Sequence, residues 1–327
     1  MLIRLAIRGF IRASDRPLTQ GGDRTKQMAF QQALIADLKR NPIAVHTADA
    51  NAQHYELPTA FFREILGARM KYSSCYYPTG RETLDQAEEA MLALSCTRAE
   101  LHDGLSILEL GCGWGSLCLY LAETYPNSRI TAVSNSRTQR EYIMGQAAKH
   151  GFTNLTVITA DMNDFETDQR FDRVMSVEMF EHMRNYECLL QKIASWLNPG
   201  GKLFVHIFSH IGQPYMVDTT RNWLAQYFFT GGVMPSDDLL LYFQRDLLIE
   251  DHWRVNGAHY ARTLETWLQT FDRKRDVIRP ILRETYGAKD ETRWFVRWRL
   301  FFIACAEIMN KRGGNDYMIS HYRFVKR

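Results

Sequence analysis

The sequence predicts an α/β fold, a parallel sheet covered by helices on both faces. Three observations predict it. Between residues 101 and 210, short apolar segments alternate with helical ones of about a dozen residues, the rhythm of βαβ units. The apolar segments are β-branched and nearly free of polar residues, as strands buried on both faces must be. The first runs into a glycine cluster, Gly111, Gly113 and Gly115. Open α/β sheets bind ligands at that place, beyond the carboxyl ends of the strands.

The elements follow in order. Region 1–100 reads as helical, with apolar residues three and four apart over 25–39 and 81–94. The stretches 54–62 and 72–78 between them read as ordered loop and turn. At the start, 1–13 sets Arg4, Arg8 and Arg12 among Leu2, Ile3, Ile7, Phe10 and Ile11, with no acid until Asp15. That amphipathic helix is expected to dock on its own domain; the other readings are an interfacial helix or a transit-type segment. The core at 101–210 reads as strands over 106–110, 130–133, 155–158, 171–177 and 202–208, with helices over 114–124, 137–150 and 186–197. Residues 211–270 break the rhythm. They are aromatic over 223–253, turn at Gly231 and Gly232, and read as an insertion that caps a substrate. Residues 271–327 return to helices, the longest over 293–310, and end in a strand over 317–326 that rejoins the sheet.

Bulk properties exclude several classes. The chain has 327 residues, 46% hydrophobic and 24% charged, which suits one large domain. A net charge of +3 is too mild to predict nucleic acid or an anionic membrane as partner. No apolar run reaches the roughly 18–20 residues of a spanning helix. The cysteines (Cys75, Cys96, Cys112, Cys118, Cys188 and Cys305) form no C-x-x-C pair, and no histidine cluster has zinc spacing. Reduced thiols, a cytoplasmic setting and no metal are the expectation.

The glycine loop reads Glu109-x-Gly111-x-Gly113-x-Gly115. Glycine turns the backbone tightly and has no Cβ to block a ligand. A dinucleotide loop would need G-x-G-x-x-G to cradle a pyrophosphate, and a Walker loop would need a following Gly-Lys-Ser/Thr. Here an acid ends the strand, where it repels a pyrophosphate and welcomes an ammonium group. The second strand ends without an acid, so ribose recognition falls to Asn135 or Gln139 by amide hydrogen bonds. After the third, Asp161 would accept from an exocyclic amine and Met162 would pack on a purine; the plainer reading of Asp161 is a turn cap.

This order of motifs resembles the Rossmann-like methyltransferases that use S-adenosylmethionine. His54-Tyr-Glu-Leu-Pro, Tyr72-Ser-Ser-Cys-Tyr-Tyr, Thr83-Leu-Asp-Gln-Ala-Glu88, Glu181-His182 and His259-Tyr260 with Thr263-Leu-Glu-Thr-Trp267 are similar to the cyclopropane fatty-acid synthase family. Ser176-Val-Glu-Met-Phe-Glu-His-Met-Arg-Asn-Tyr186, Leu239-Leu-Leu-Tyr-Phe-Gln244, His252-Trp253 and Asn256-Gly-x-His-Tyr260 resemble its coclaurine-type N-methyltransferase branch. The resemblance runs from about residue 50 to the C-terminus. It implies a class I methyltransferase fold with a parallel seven-stranded sheet, a helical N-terminal extension and a helical, aromatic substrate cap. It also implies S-adenosylmethionine as cofactor, leaving as S-adenosylhomocysteine, with Tyr72 and Ser73 against it.

Glu178, Glu181 and His182 follow the fourth strand, the edge at which a reacting group meets the cofactor. An alkylamine with a pKa near 10 is mostly protonated at neutral pH, so methyl transfer to it needs a base within reach. In the coclaurine-type branch the Glu-His pair acts on the substrate nitrogen. The resemblance carries that role to Glu181 and His182, with Glu178 in support. In cyclopropane synthases the base is bicarbonate, held at positions that match Ser74, Glu181, His206, Phe208 and Tyr260; Ser74 and Phe208 depart from the Cys and Ile of that pattern. Among Tyr72, Tyr76, Tyr77, Trp223, Phe228, Phe229, Tyr242 and Phe243, two or three are expected to line the substrate. The leading expectation is N-methylation of a small hydrophobic amine. The alternatives are a lipid acyl-chain enzyme, which alone would need bicarbonate and membrane contact, and a protein that binds without catalysis.

Overall fold

The computed structural model describes residues 2–15, 17–45, 57–217 and 223–326. Its helices are α1 (Leu2–Asp15), α2 (Arg24–Leu38), α3 (Thr59–Ile65), α4 (Leu84–Arg98), α5 (Ser116–Thr124), α6 (Arg137–His150), α7 (Tyr186–Trp196), α8 (Trp223–Phe228), α9 (Gly257–Arg273), α10 (Arg275–Tyr286) and α11 (Glu291–Met309). The main sheet has seven strands: β1 (Ser106–Leu110), β2 (Arg129–Ser134), β3 (Leu155–Thr159), β4 (Phe171–Val177), β5 (Leu197–His210), β6 (Leu247–Asn256) and β7 (Tyr317–Lys326). Their order is β3-β2-β1-β4-β5-β7-β6.

The first five strands are parallel. β7 is antiparallel to both of its neighbours, β5 and β6. That makes β6 parallel to the first five. The returning C-terminal strand thus slots between two parallel ones, and the sheet is parallel except at β7.

Strand parity sorts the core into layers. Leu108, Leu110, Val174, Leu203 and Val205 face α2 and α7, against Leu34, Leu38, Leu189 and Ile193. Ile107, Ala132, Met175 and Phe204 face the other way, against Leu92 and Cys96 of α4, Leu117 and Leu121 of α5 and Ile143 of α6. A third cluster of α3, α9 and α11 is strongly aromatic and includes Phe61, Phe62, Trp267, Phe271, Trp298 and Phe302. Local signals agree with this layout. Thr83 and Gln86 form a reciprocal capping box at the start of α4, and Gly151 closes α6 in the left-handed conformation.

Several elements differ from the sequence-based reading. The helix expected from 114 begins at Ser116, because Gly115 caps it in the left-handed conformation. Of the loop expected over 54–62, residues 54–56 lie outside the described residues, and α3 takes up Thr59 onward. Within 211–270, β6 is a strand of the main sheet rather than part of a cap, and α9 follows it directly. β6 is an edge strand, opposite β3, and edges are protected by charge. Glu250, Asp251, His252 and Arg254 hide its apolar signal, and Glu250 and Asp251 both accept from Arg323 on β7.

α1 docks on its own domain. Two of its three arginines reach the domain: Arg4 bonds Glu265 at 2.5 Å and Glu307 at 2.9 Å, and Arg8 bonds Glu307 at 2.5 Å, while Arg12 is exposed. Ile11 is buried beside them, while Leu2, Ile3, Leu5 and Phe10 are exposed. Among the described residues no helix is long and apolar enough to cross a membrane. All six cysteines are free thiols.

Candidate active site

Strand order reverses between β1 and β4, so the loops at their carboxyl ends part and leave a crevice. The glycine loop forms its floor. The amides of Gly111 and Cys112 both donate to the Val133 carbonyl at 3.0 Å, which pins the turn. Gly111 has φ +79°, and a Cβ there would meet Met179 at 2.7 Å. Gly113 has φ +50°, and a Cβ there would meet no protein atom within 4 Å. That open side is cavity.

Two chambers meet over this floor. The smaller, about 110 Å³, is lined by Asn135, Asp161 and Met162 from the ends of β2 and β3. The larger, about 220 Å³, is lined by Glu109, Tyr72, Ser73, Gln139, Glu181 and Tyr260, among others. Gly111, Glu178 and His182 line both, so the two spaces join at the end of β4. Asn135 and Gln139 are therefore not equivalent, since Gln139 opens on the larger chamber. Its side-chain oxygen accepts from Ser134 at 2.6 Å. Asp161 is the turn cap of the plainer reading, one oxygen accepting from the Asn163 amide at 2.8 Å, and it also lines the smaller chamber.

The chambers suit S-adenosylmethionine. Glu109 is buried, and one of its carboxylate oxygens has no partner among the described residues. Burial pushes its carboxyl up to about 8, so an incoming ammonium group would satisfy both the charge and the open acceptor. Lys71 was missed from the sequence. It is buried, lines the same chamber and donates to Ser73. Burial lowers its pKa against the pull of Cys75, Glu178 and other acids. The pair offers one acid and one base to an amino-acid group, and Asn135, Asp161 and Met162 offer polar and apolar contacts to a nucleoside. The only hint of Lys71 in the sequence was a cation directly before the Tyr72-Ser-Ser motif.

Glu178 stands where the two chambers join. Its φ is +46°, an uncommon conformation for a residue with a side chain. Its amide donates to the His206 carbonyl at 2.8 Å. Three groups converge on its carboxylate: the Ser74 amide donates at 2.9 Å, the Tyr260 hydroxyl donates at 2.7 Å, and His206 Nε2 lies at 3.3 Å. Burial pushes the Glu178 carboxyl up, opposed by Lys71 and by the Ser74 and Tyr260 hydrogen bonds. Glu181 sits in the single turn Phe180–His182 and is 1% exposed. Neither of its carboxylate oxygens has a hydrogen-bond partner among the described residues. Burial, and then the charge of Glu178, push its carboxyl well above the usual range. His182 packs edge-on to Phe229 at 5.1 Å. Of the expected aromatics, Tyr72, Phe228 and Phe229 line the larger chamber. Tyr77 instead stacks on His259, and Phe243 packs on Tyr186. Trp114 and, from α11, Phe301, Cys305 and Ile308 complete the wall; α11's apolar periodicity showed a helix but not what it faces.

Residues 44–316 match the family model for mycolic acid cyclopropane synthetase. The chain is 38% identical to (S)-coclaurine N-methyltransferase of Thalictrum flavum subsp. glaucum, covering 92% of this chain and 85% of that one. It is 37% identical to (S)-tetrahydroprotoberberine N-methyltransferase of Eschscholzia californica, covering 92% and 88%. A crystal structure of coclaurine N-methyltransferase bound to N-methylheliamine and SAH superposes with a TM-score of 0.92 at 36% identity, covering 98% of this chain and 94% of that one. The chain belongs to the mycolic acid cyclopropane synthetase family and is an S-adenosylmethionine-dependent methyltransferase with the class I fold.

Proposed function

We propose that this enzyme N-methylates a small hydrophobic amine, and that Glu181 and His182 handle the nitrogen's proton while Glu178 holds the charge beside them. The observation that carries this is the junction of the two chambers, where Glu178 and His182 face both spaces. The relatives named for N-methyl transfer to alkaloids cover nearly the whole chain, which supports an alkaloid-like acceptor.

The residues divide the work. Tyr72, Phe228 and Phe229 give the acceptor an apolar seat, and an aromatic face stabilises an ammonium by roughly 0.5–2 kcal/mol. The acceptor enters as an ammonium. Its N–H proton passes to the Glu181–His182 pair, and the nitrogen keeps the lone pair. S-adenosylmethionine held across the two chambers would supply a methyl group on a sulfonium, whose sulfur would depart as the neutral thioether when that lone pair takes the methyl. Alignment of the two partners in the joined chambers supplies several kcal/mol of the rate.

Three of the five positions that hold bicarbonate in the lipid enzymes are Ser74, His206 and Tyr260, and here all three serve the Glu178 carboxylate. A carboxylate tethered to the chain thus stands where a soluble anion would, which favours the amine reading. The six free thiols suit a reducing compartment, the cytoplasm, and the acceptor is a small molecule rather than a nucleic acid.

The test is product mass spectrometry with methyl-labelled S-adenosylmethionine and a panel of cyclic and aryl-ethyl amines. A labelled methyl on nitrogen is the expected result. No transfer to any member, from protein that binds the cofactor, counts against the reading.

A further inference from the structure

Behind Glu178 a line of hydrogen bonds crosses the sheet. Arg98, in the last turn of α4, donates from Nη1 to His321 Nδ1 at 2.8 Å. His321 Nε2 meets His206 Nδ1 at 3.0 Å, and His206 Nε2 meets Glu178 Oε1 at 3.3 Å. His206 and His321 are register partners on β5 and β7. Trp253, the β6 partner of His321, carries the Arg98 guanidinium over its ring at 5.2 Å. Both imidazoles are buried, and burial drives both well towards the neutral form.

A guanidinium can only donate. His321 Nδ1 must therefore accept, which leaves its one proton on Nε2. That N–H points at His206 Nδ1, which must accept in turn. His206 then carries its proton on Nε2 and donates to Glu178. The opposite tautomers would set an N–H against the guanidinium and a lone pair against the carboxylate. The direction of the line is fixed at its far end, by the one group that cannot reverse.

We propose that Arg98 is a positioning residue: acting through His321 and His206, it fixes both proton positions so that a third N–H or O–H donor is always aimed at Glu178. This rests on the reading that Glu178 borders the reacting nitrogen, but the proton positions themselves do not depend on that reading. Nothing in the sequence joins Arg98 to the site, because it stands at the end of α4, outside every motif, and reaches Glu178 only through two strands.

The test uses the full-length enzyme labelled with ¹⁵N-histidine, and long-range ¹H–¹⁵N spectra in which His321→Gln and His206→Gln assign the two rings. The wild type is expected to show both rings neutral, with the proton on Nε2. Arg98→Met keeps an apolar stem over Trp253 and removes the donor. It is expected to mix the tautomers of His321 and to lower kcat about tenfold, the scale of one lost hydrogen bond, with cofactor affinity unchanged. Arg98→Lys restores a donor and is expected to restore the single tautomer. A proton on Nδ1 of either ring in the wild type, or wild-type tautomers in Arg98→Met, overturns the proposal. These spectra need no substrate, so a failure to methylate amines would sink the functional reading and leave this one standing.

Discussion

At the residue scale, the proposed site makes Glu109 the link between cofactor binding and protons. Its carboxyl lies at about 8 in the folded protein against an ordinary 4.5. Between those values the folded state holds a proton that the unfolded state has lost, so this residue's contribution to stability falls as pH rises through the window. Denaturant unfolding at several pH values should show that fall in the wild type and lose it in Glu109→Gln. An incoming ammonium reverses the preference. Binding S-adenosylmethionine near neutral pH should therefore release a proton and tighten as pH rises towards 8, as titration calorimetry in buffers of different ionisation enthalpy would show. A Kd that is flat with pH and involves no proton release would remove Glu109 from the site. Gly113 gives a second check. An added methyl meets no protein atom there, although the positive φ of 50° strains it, so Gly113→Ala should fold with a stability loss of about 1 kcal/mol and yet lose cofactor affinity; unchanged affinity in the folded variant would displace the loop from its assigned role. Glu181→Gln should keep the affinity and lower kcat by roughly 100-fold or more, the usual reach of a general base. Wild-type turnover in that variant would end its acid–base assignment.

At the scale of elements, α1 and α11 belong together. Although burial pushes the Glu307 carboxyl up, hydrogen bonds from Arg8 and Arg4 outweigh it and hold the carboxyl below its usual range. Removing both arginines would leave a buried acid unpaired. Arg4→Ala with Arg8→Ala should cost about 1–3 kcal/mol in denaturant unfolding, the scale of an unsatisfied buried group. Glu307 lies on the helix that brings Phe301, Cys305 and Ile308 to the larger chamber, so KM for the amine should rise more than Kd for the cofactor. Equal stability of the double variant and the wild type would mean that α1 merely rests on the surface. The same elements show what the sequence made legible. Strong signals were readable where burial is regular: the core strands are apolar throughout because both their faces are covered, and α11 is periodic because one face is buried. β6 was not, because an edge strand carries charges on its open side and its pairing with β7 is set some sixty residues downstream. α1 was readable as amphipathic. That Arg4 and Arg8 reach the domain depends on Glu265 and Glu307, which no local pattern connects to it.

At the scale of the molecule, the fold brings motifs from four distant segments to one edge. The glycine loop, the Tyr72 segment, the end of β4 and Tyr260 of α9 meet there because the sheet reverses its order at β1 and β4. Motif order and strand ends were enough to find that edge. They did not reveal that Ser74, His206 and Tyr260 all turn to Glu178, since that convergence depends on a strained backbone angle at Glu178 and on β5, α9 and the Tyr72 loop packing together. An enzyme with its anion attached to the chain should need none from solution.

The most direct measurement follows from that. The wild-type enzyme is given methyl-labelled S-adenosylmethionine with the amine panel and, in parallel, with unsaturated phospholipid vesicles. Each is run in bicarbonate-free buffer and again with bicarbonate added, and the products are weighed. The account predicts label on amine nitrogen at the same rate in both buffers and none on the acyl chains. Label on acyl chains that appears only when bicarbonate is present would contradict it.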